Sequence, residues 1–123
     1  MGYVGGYVGS VNSVLNYPLF FWTRDTLSND KEMMNLRGYY TEWSKRVDLK
    51  QLAYMANFVD NHDNARWLSW NGDWEKKKKV LKSGSVFALT SVGIPIVYYG
   101  TEQLFAGGND PNNREILWRN LDK

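Results

Sequence analysis

Three apolar segments of the chain have the pattern of β-strands. Residues 53–59 form a near-continuous apolar run that only Asn57 interrupts, and residues 94–99 form a second such run. Runs of this kind are typical of parallel strands that are covered by helices on both faces. The shorter apolar segment 11–17 predicts a third strand, which Pro18 would end. Before it, glycine-rich residues 2–10 predict a loop.

The segments between these strands predict helices. Residues 19–26 begin with four apolar residues, and their pattern predicts a helix. The polar cluster 28–30 would end that helix and cap a second one, whose apolar positions are Met33, Met34, Leu36 and Tyr40. Asp73 is expected to cap a third helix, whose apolar stripe consists of Val80, Leu81, Gly84, Phe87 and Ala88. About 40 residues separate the strand starts, which is the size of a βαβ unit. The pattern predicts an α/β fold and leaves open a doubly wound sheet or part of a barrel.

Polar residues follow the two long apolar runs directly. Asp60, Asn61, His62 and Asp63 come after the first run, and residues 100–103 come after the second. In (β/α)8 barrels the active site lies at the carboxyl ends of the strands, so residues 60–63 are a candidate site. The pattern alone equally allows a turn in which Asp63 or Asn64 caps the next segment. A histidine-rich metal phosphohydrolase is disfavoured, because His62 is the only histidine among 123 residues.

Composition excludes several classes of function. The net charge of +2 is too small to predict binding to nucleic acid or to an anionic membrane, and the basic run 76–79 fits a solvated helix face. The chain has no cysteine, which excludes disulfides and thiolate metal sites. It has neither an apolar stretch of transmembrane length nor a signal peptide at its start. Aromatic residues make up 15% of the chain, which fits a packed core and also a sugar-binding cleft.

Three motifs resemble the α-amylase family of glycoside hydrolases. They are FVDNHD at residues 58–63, IPIVYYGTEQ at 94–103 and GGNDPNNR at 107–114, and VLNYPLFF at 14–21 precedes them. Their order and spacing are similar to the family's over essentially the whole chain. The resemblance implies a partial TIM (β/α)8 barrel with about strands six to eight. Residues 1–123 would then form the C-terminal portion of the catalytic domain, with no second domain.

The resemblance also implies roles for individual residues. Asp63 matches the aspartate that binds sugar hydroxyls and stabilises the transition state, and His62 matches the histidine that contacts the sugar at the cleavage subsite. Asp110 and Arg114 match a pair that contacts the same sugar from the other side. Asn61 is expected to orient its neighbours. The family's Ca²⁺ ligands are expected upstream, so no metal ligand is assigned here.

The implied function is retaining endo-hydrolysis of α-1,4 bonds in starch or glycogen. The family's nucleophile and general acid match nothing here, since neither Glu32 nor Glu42 lies in the corresponding motif. The isolated chain is therefore expected to be inactive. The expected partner is an α-glucan, and the family's habit implies an extracellular location. Two alternatives stay open: a cyclodextrin-processing or transglycosylating relative, whose acceptor side Tyr3 and Tyr7 could line, and a non-catalytic carbohydrate-binding remnant.

Overall fold

The computed structural model describes residues 4, 6–7, 10–28, 31–70 and 72–120. The regular elements are, in chain order, α1 (Tyr17–Ser28), α2 (Met34–Trp43), α3 (Leu49–Ala53), β1 (Ala56–Asn57), a first 3-10 helix (Trp67–Ser69), α4 (Trp74–Thr90), β2 (Ile94–Pro95) and a second 3-10 helix (Leu117–Asn120). No helix in the described ranges is both long enough and apolar enough to cross a membrane.

The sheet is parallel and has β1 at its centre. Ala56 is in register with Ile94 and Asn57 with Pro95, and on the other side of β1 Leu15 forms a single parallel bridge to Ala56. The predicted parallel arrangement of three apolar segments is therefore confirmed. Their predicted lengths are wrong, since each regular strand has two residues and the segment around Leu15 forms only this bridge.

A buried polar network joins the three sheet segments and explains why Asn57 interrupts an apolar run. The Asn16 amide donates to Oδ1 of Asn57 at 2.8 Å, and the Asn57 amide donates to the Val92 carbonyl at 3.0 Å. The Tyr39 hydroxyl donates to Oδ1 of Asn16 at 2.9 Å. Asn16, Tyr39 and Asn57 are fully buried, so each of these bonds replaces one that would otherwise be made with water.

Helix α1 and the cap of α4 agree with the sequence prediction, whereas the cap of α2 and the presence of α3 differ from it. The helix predicted at 19–26 is present as α1, and Asp73 caps α4 by accepting from the Lys76 amide at 2.8 Å. The second helix begins at Met34 without a side-chain cap, so the expected cap at 28–30 is wrong for Ser28; residues 29 and 30 lie outside the described part of the chain.

Helix α3 was not predicted. Asp48 and Gln51 form a capping box, in which each side chain accepts from the other residue's backbone N–H. The helix takes up Ala53, which had been placed in the strand.

The second apolar run is exposed, although its pattern predicts burial. Ile94, Ile96 and Val97 are 43%, 40% and 56% exposed. Helix α4 packs on β2, yet these three side chains stay exposed. A parallel strand is buried only when both of its faces are covered. The described elements therefore cover less of this apolar run than its pattern predicts.

Two apolar clusters hold the elements together. The first joins α1, α2 and α3 through Leu19, Tyr39, Trp43, Val47, Leu52 and Met55. The second joins the segment after β1 to α4 through Val59, Trp67, Leu68, Leu81 and Ala88. Residues 58–66 follow the carboxyl end of β1 and carry the candidate site.

Candidate active site

Asn61 organises the turn after β1. Its Oδ1 accepts from the backbone N–H groups of Asp63 and Asn64, both at 3.1 Å, and from the Asn64 side chain at 2.8 Å. The turn leaves Asp63 and His62 more than half exposed, with Nε2 of His62 3.2 Å from Oδ1 of Asp63. In the described contacts the turn is therefore capped by Asn61 and not by Asp63 or Asn64, and the Asp63 carboxylate faces solvent.

The loop 107–114 brings the other two predicted residues to the same place. Nη2 of Arg114 lies 3.2 Å from Oδ1 of Asp110. The same guanidinium donates from Nε and Nη2 to the His62 carbonyl, both at 3.4 Å. About half of each side chain of this ion pair is exposed. His62, Asp63, Asp110 and Arg114 thus belong to one accessible cluster.

Asn113 joins the two loops. Its buried amide donates to the carbonyls of His62 at 2.7 Å and Asn64 at 2.9 Å. One side chain therefore holds the backbone on both sides of Asp63.

A buried arginine stands behind both loops. Arg66 is fully buried and donates from Nε to the Asn113 carbonyl at 2.9 Å. Its guanidinium lies 3.3 Å from Oε2 of Glu115 and 3.8 Å from Oδ2 of Asp60, and 3.9 Å from the ring centre of Tyr98. The carboxylates and the ring face compensate for removing this charge from water.

Asp60 completes the buried network. Its Oδ1 accepts from the Thr101 hydroxyl at 2.8 Å, which ties the end of the first apolar run to the end of the second. Burial raises the pKa of Asp60, and the hydrogen bond from Thr101 and the charge of Arg66 only partly offset this effect.

Gly107 allows the loop to close on itself. A Cβ atom at this position would lie 1.8 Å from the Asn112 carbonyl oxygen. The Gly107 carbonyl accepts from the Arg66 backbone N–H at 3.0 Å. A side chain here would push the loop away from Arg66, so the close approach requires glycine.

Sequence reasoning missed Tyr17, Arg66 and Asn113. Tyr17 begins α1, and its hydroxyl lies 3.2 Å from Oδ2 of Asp63. Tyr17 lies in the motif at residues 14–21 and Asn113 in the motif at 107–114. Their membership of these motifs could have marked them as candidate site residues. Of the two tyrosines in the glycine-rich start, Tyr7 is 48% exposed and Tyr3 lies outside the described residues.

The family resemblance places no calcium ligand in this chain, and the described residues form no group that suggests a metal site. Within the described ranges, no group of three or more His, Cys, Asp or Glu side chains could hold a metal ion. The chemistry of this site is therefore derived from the side chains alone.

The chain matches known proteins over nearly its whole length. The family model described as alpha amylase, catalytic domain, matches residues 6–121. Alpha-amylase 2 from Schwanniomyces occidentalis is 36% identical over 117 residues, which cover 94% of this chain and 22% of that protein. A cyclomaltodextrin glucanotransferase from Bacillus sp. (strain 38-2) is 38% identical over 102 residues, covering 83% of this chain and 14% of that protein.

A solved structure matches in the same way. The α-amylase from Malbranchea cinnamomea superposes with a TM-score of 0.80 at 32% identity, covering 97% of this chain and 24% of that one. The chain thus spans about a quarter or less of these relatives and corresponds to part of an α-amylase TIM barrel. With the matched family model and the three motifs, this similarity shows that the chain belongs to the α-amylase family of glycoside hydrolases.

Proposed function

We propose that this chain is the C-terminal portion, about strands six to eight, of the catalytic barrel of a retaining, endo-acting α-1,4-glucan hydrolase. The observation that carries the proposal is the convergence of Asp63, His62, Asp110 and Arg114 at the carboxyl ends of the parallel segments. Two pairs of residues that lie 47 to 52 positions apart in sequence meet there. Such a cluster of exposed donors and acceptors suits a polyhydroxylated ligand such as an α-glucan.

Asp63 is the transition-state stabiliser in this proposal. Glycoside hydrolysis passes through an oxocarbenium-like state, in which hydrogen bonds to the sugar hydroxyls strengthen. A hydrogen bond that already forms in the bound ground state and becomes stronger in the transition state contributes to both binding and rate, and only the added strength accelerates the reaction. The Asp63 carboxylate keeps lone pairs free beside its contacts with Tyr17 and His62.

The neighbouring residues bind the same sugar. His62 donates from its imidazole, and Arg114, oriented by Asp110, donates from the opposite side. Asn61 holds the turn and has no part in the reacting bond. Because Asn113 and Arg114 both bind the His62 carbonyl, the two sides of this subsite are linked mechanically.

The nucleophile and the general acid come from sequence outside this chain. Retaining enzymes place these two carboxyl groups about 5 to 5.5 Å apart, across the scissile bond. A calcium ion, where the whole protein binds one, is held outside this chain as well. Extracellular action on starch or glycogen completes the proposal.

Binding of maltoheptaose to the purified chain tests the proposal. By calorimetry we expect Asp63→Asn to weaken binding about tenfold or more, since a charged hydrogen bond becomes a neutral one. Asp25→Asn is the matched control, because Asp25 forms an exposed ion pair with Lys31. Equal affinities of the wild type and Asp63→Asn would contradict the assigned site.

A second assay tests where the other carboxylates lie. The wild-type chain is expected to release no reducing sugar from starch. Release that Asp63→Asn abolishes would show that this chain contains its own acid and nucleophile. Binding without release, together with an upstream coding sequence that lacks an aspartate and a glutamate in the family positions, would favour the non-catalytic carbohydrate-binding alternative.

The similarity to a cyclomaltodextrin glucanotransferase favours one further candidate, a transglycosylating relative. Such an enzyme would use the same Asp63 and pass the glucosyl group to a sugar hydroxyl instead of water. Chromatography of the products that the whole protein forms from starch separates the two. Cyclic products indicate transfer, and linear oligosaccharides alone indicate hydrolysis.

A further inference from the structure

Tyr17 closes a ring of hydrogen bonds around Asp63. The Asp63 backbone N–H donates to Oδ1 of Asn61 at 3.1 Å, and the Asn61 amide donates to the Tyr17 hydroxyl at 2.9 Å. The Tyr17 hydroxyl in turn lies 3.2 Å from Oδ2 of Asp63. Since the amide N–H already occupies the hydroxyl oxygen and a carboxylate can only accept, the Tyr17 proton is directed at Asp63.

The ring of Tyr17 is held by aromatic packing. It meets Phe58 edge-on at 5.2 Å between ring centres and Phe20 edge-on at 6.1 Å. Phe58 and Phe20 are buried and stack on each other at 5.2 Å. The hydroxyl therefore projects from a packed base, which limits how far it can move from the carboxylate.

The hydroxyl stays protonated at neutral pH. Burial is the main cause that raises the pKa of Tyr17, the hydrogen bond from Asn61 offsets part of the effect, and the Asp63 charge raises the pKa further. A phenol that remains protonated can act as a permanent donor to the carboxylate.

We propose that Tyr17 is a positioning residue for Asp63. Its hydroxyl fixes one carboxylate oxygen against the α1 start, so that the remaining lone pairs point at the sugar hydroxyls. This inference rests on the proposed function. It adds that the geometry of Asp63 is set from the start of helix α1, 46 residues away in sequence.

The Tyr17→Phe variant tests the role, because it removes one oxygen and keeps the packed ring. We expect maltoheptaose to bind about five- to tenfold more weakly, which lies within the range for the loss of one ordinary hydrogen bond. Tyr54→Phe is the matched control, since Tyr54 is 53% exposed. In the Asp63→Asn background, Tyr17→Phe is expected to have little further effect, because the two residues act as one unit. Equal losses in both backgrounds would indicate a merely structural role and overturn the proposal.

A measurement without sugar separates the positioning role of Tyr17 from the proposed function of the chain. Titration of the tyrosine Cζ resonances by ¹³C NMR is expected to show a lower Tyr17 midpoint in Asp63→Asn than in the wild type. An unchanged midpoint would overturn the contact itself. If the Tyr17 midpoint differs between the two proteins as expected but the wild type does not bind maltoheptaose, the proposed function fails and the contact stands. If it binds and Tyr17→Phe binds equally well, only the positioning role fails. The titration needs no Tyr17 variant, so it remains decisive if Tyr17→Phe does not fold.

Discussion

Arg66 donates from Nε to the backbone carbonyl of Asn113 at 2.9 Å, although 47 residues separate them. Asn113 in turn holds the carbonyls of His62 and Asn64. A fully buried charge thus fixes the backbone on both sides of an exposed carboxylate. The exposed cluster keeps its polar groups free for a ligand because its rigidity comes from the layer beneath it.

The buried charge of Arg66 makes it the most sensitive position of the site. We expect Arg66→Met to lower the free energy of unfolding by about 3 to 5 kcal/mol, because Asp60 and Glu115 lose their buried partner. Urea unfolding followed by circular dichroism measures the change. Arg37→Met, on the exposed surface of α2, is the control. A loss below about 1 kcal/mol for Arg66→Met would contradict the proposed role of this buried charge in holding the two loops.

Substitution of Arg114 is expected to affect ligand binding and to leave stability nearly unchanged. Its side chain is about half exposed, so Arg114→Met should change the free energy of unfolding by less than about 0.5 kcal/mol. It should still weaken maltoheptaose binding, since a charged donor is lost from the proposed subsite. Calorimetry and urea unfolding on the same preparation check both expectations. A variant that unfolds readily but binds normally would reverse the roles assigned to the two arginines.

Asn57 tests the polar network beneath the sheet. Asn57→Ala leaves the Asn16 amide and the Val92 carbonyl without their partner, so we expect a loss of about 3 kcal/mol. Asn12→Ala, at an exposed position, is the matched control in the same unfolding experiment. Similar stabilities of the two variants would mean that water replaces the lost bonds.

The raised pKa of Asp60 predicts a dependence of stability on pH. The folded state binds this proton more tightly than the unfolded state does, so stability falls as pH rises from the unfolded value, about 4, through the raised folded value. Asp60→Asn lacks this ionisation. The stability of the wild type relative to Asp60→Asn should therefore decline as pH increases from about 4 towards neutrality. Urea unfolding of both proteins across that pH range measures this relative stability. A wild type that becomes more stable relative to Asp60→Asn as pH rises would contradict the prediction.

Local patterns were sufficient where neighbours along the chain decide the structure. The apolar segment of α1 and the Asp73 cap of α4 were correctly predicted, since both depend on contacts within a few residues. Helix α3 could also have been predicted, because Asp48 and Gln51 have the spacing of a capping box. The apolar run at 53–59 overlaps this helix only at Ala53.

Contacts between distant segments were beyond such patterns. The apolar run at 94–99 predicted burial, yet Ile94 and Val97 are exposed, because burial depends on which layers pack over a strand. In the same way, nothing in the periodicity pairs Arg66 with Asn113 or Tyr17 with Asp63.

The sequence by itself determined the family, and it predicted the parallel arrangement of the apolar segments and the four exposed polar residues of the candidate site. Composition, spacing and motif order are properties of the amino-acid sequence and can be read from it directly. The tertiary structure alone decided which buried groups hold those four residues in place. Hydrogen bonds between residues 41 to 52 positions apart form only after the backbone has brought them together, and no local preference encodes that approach.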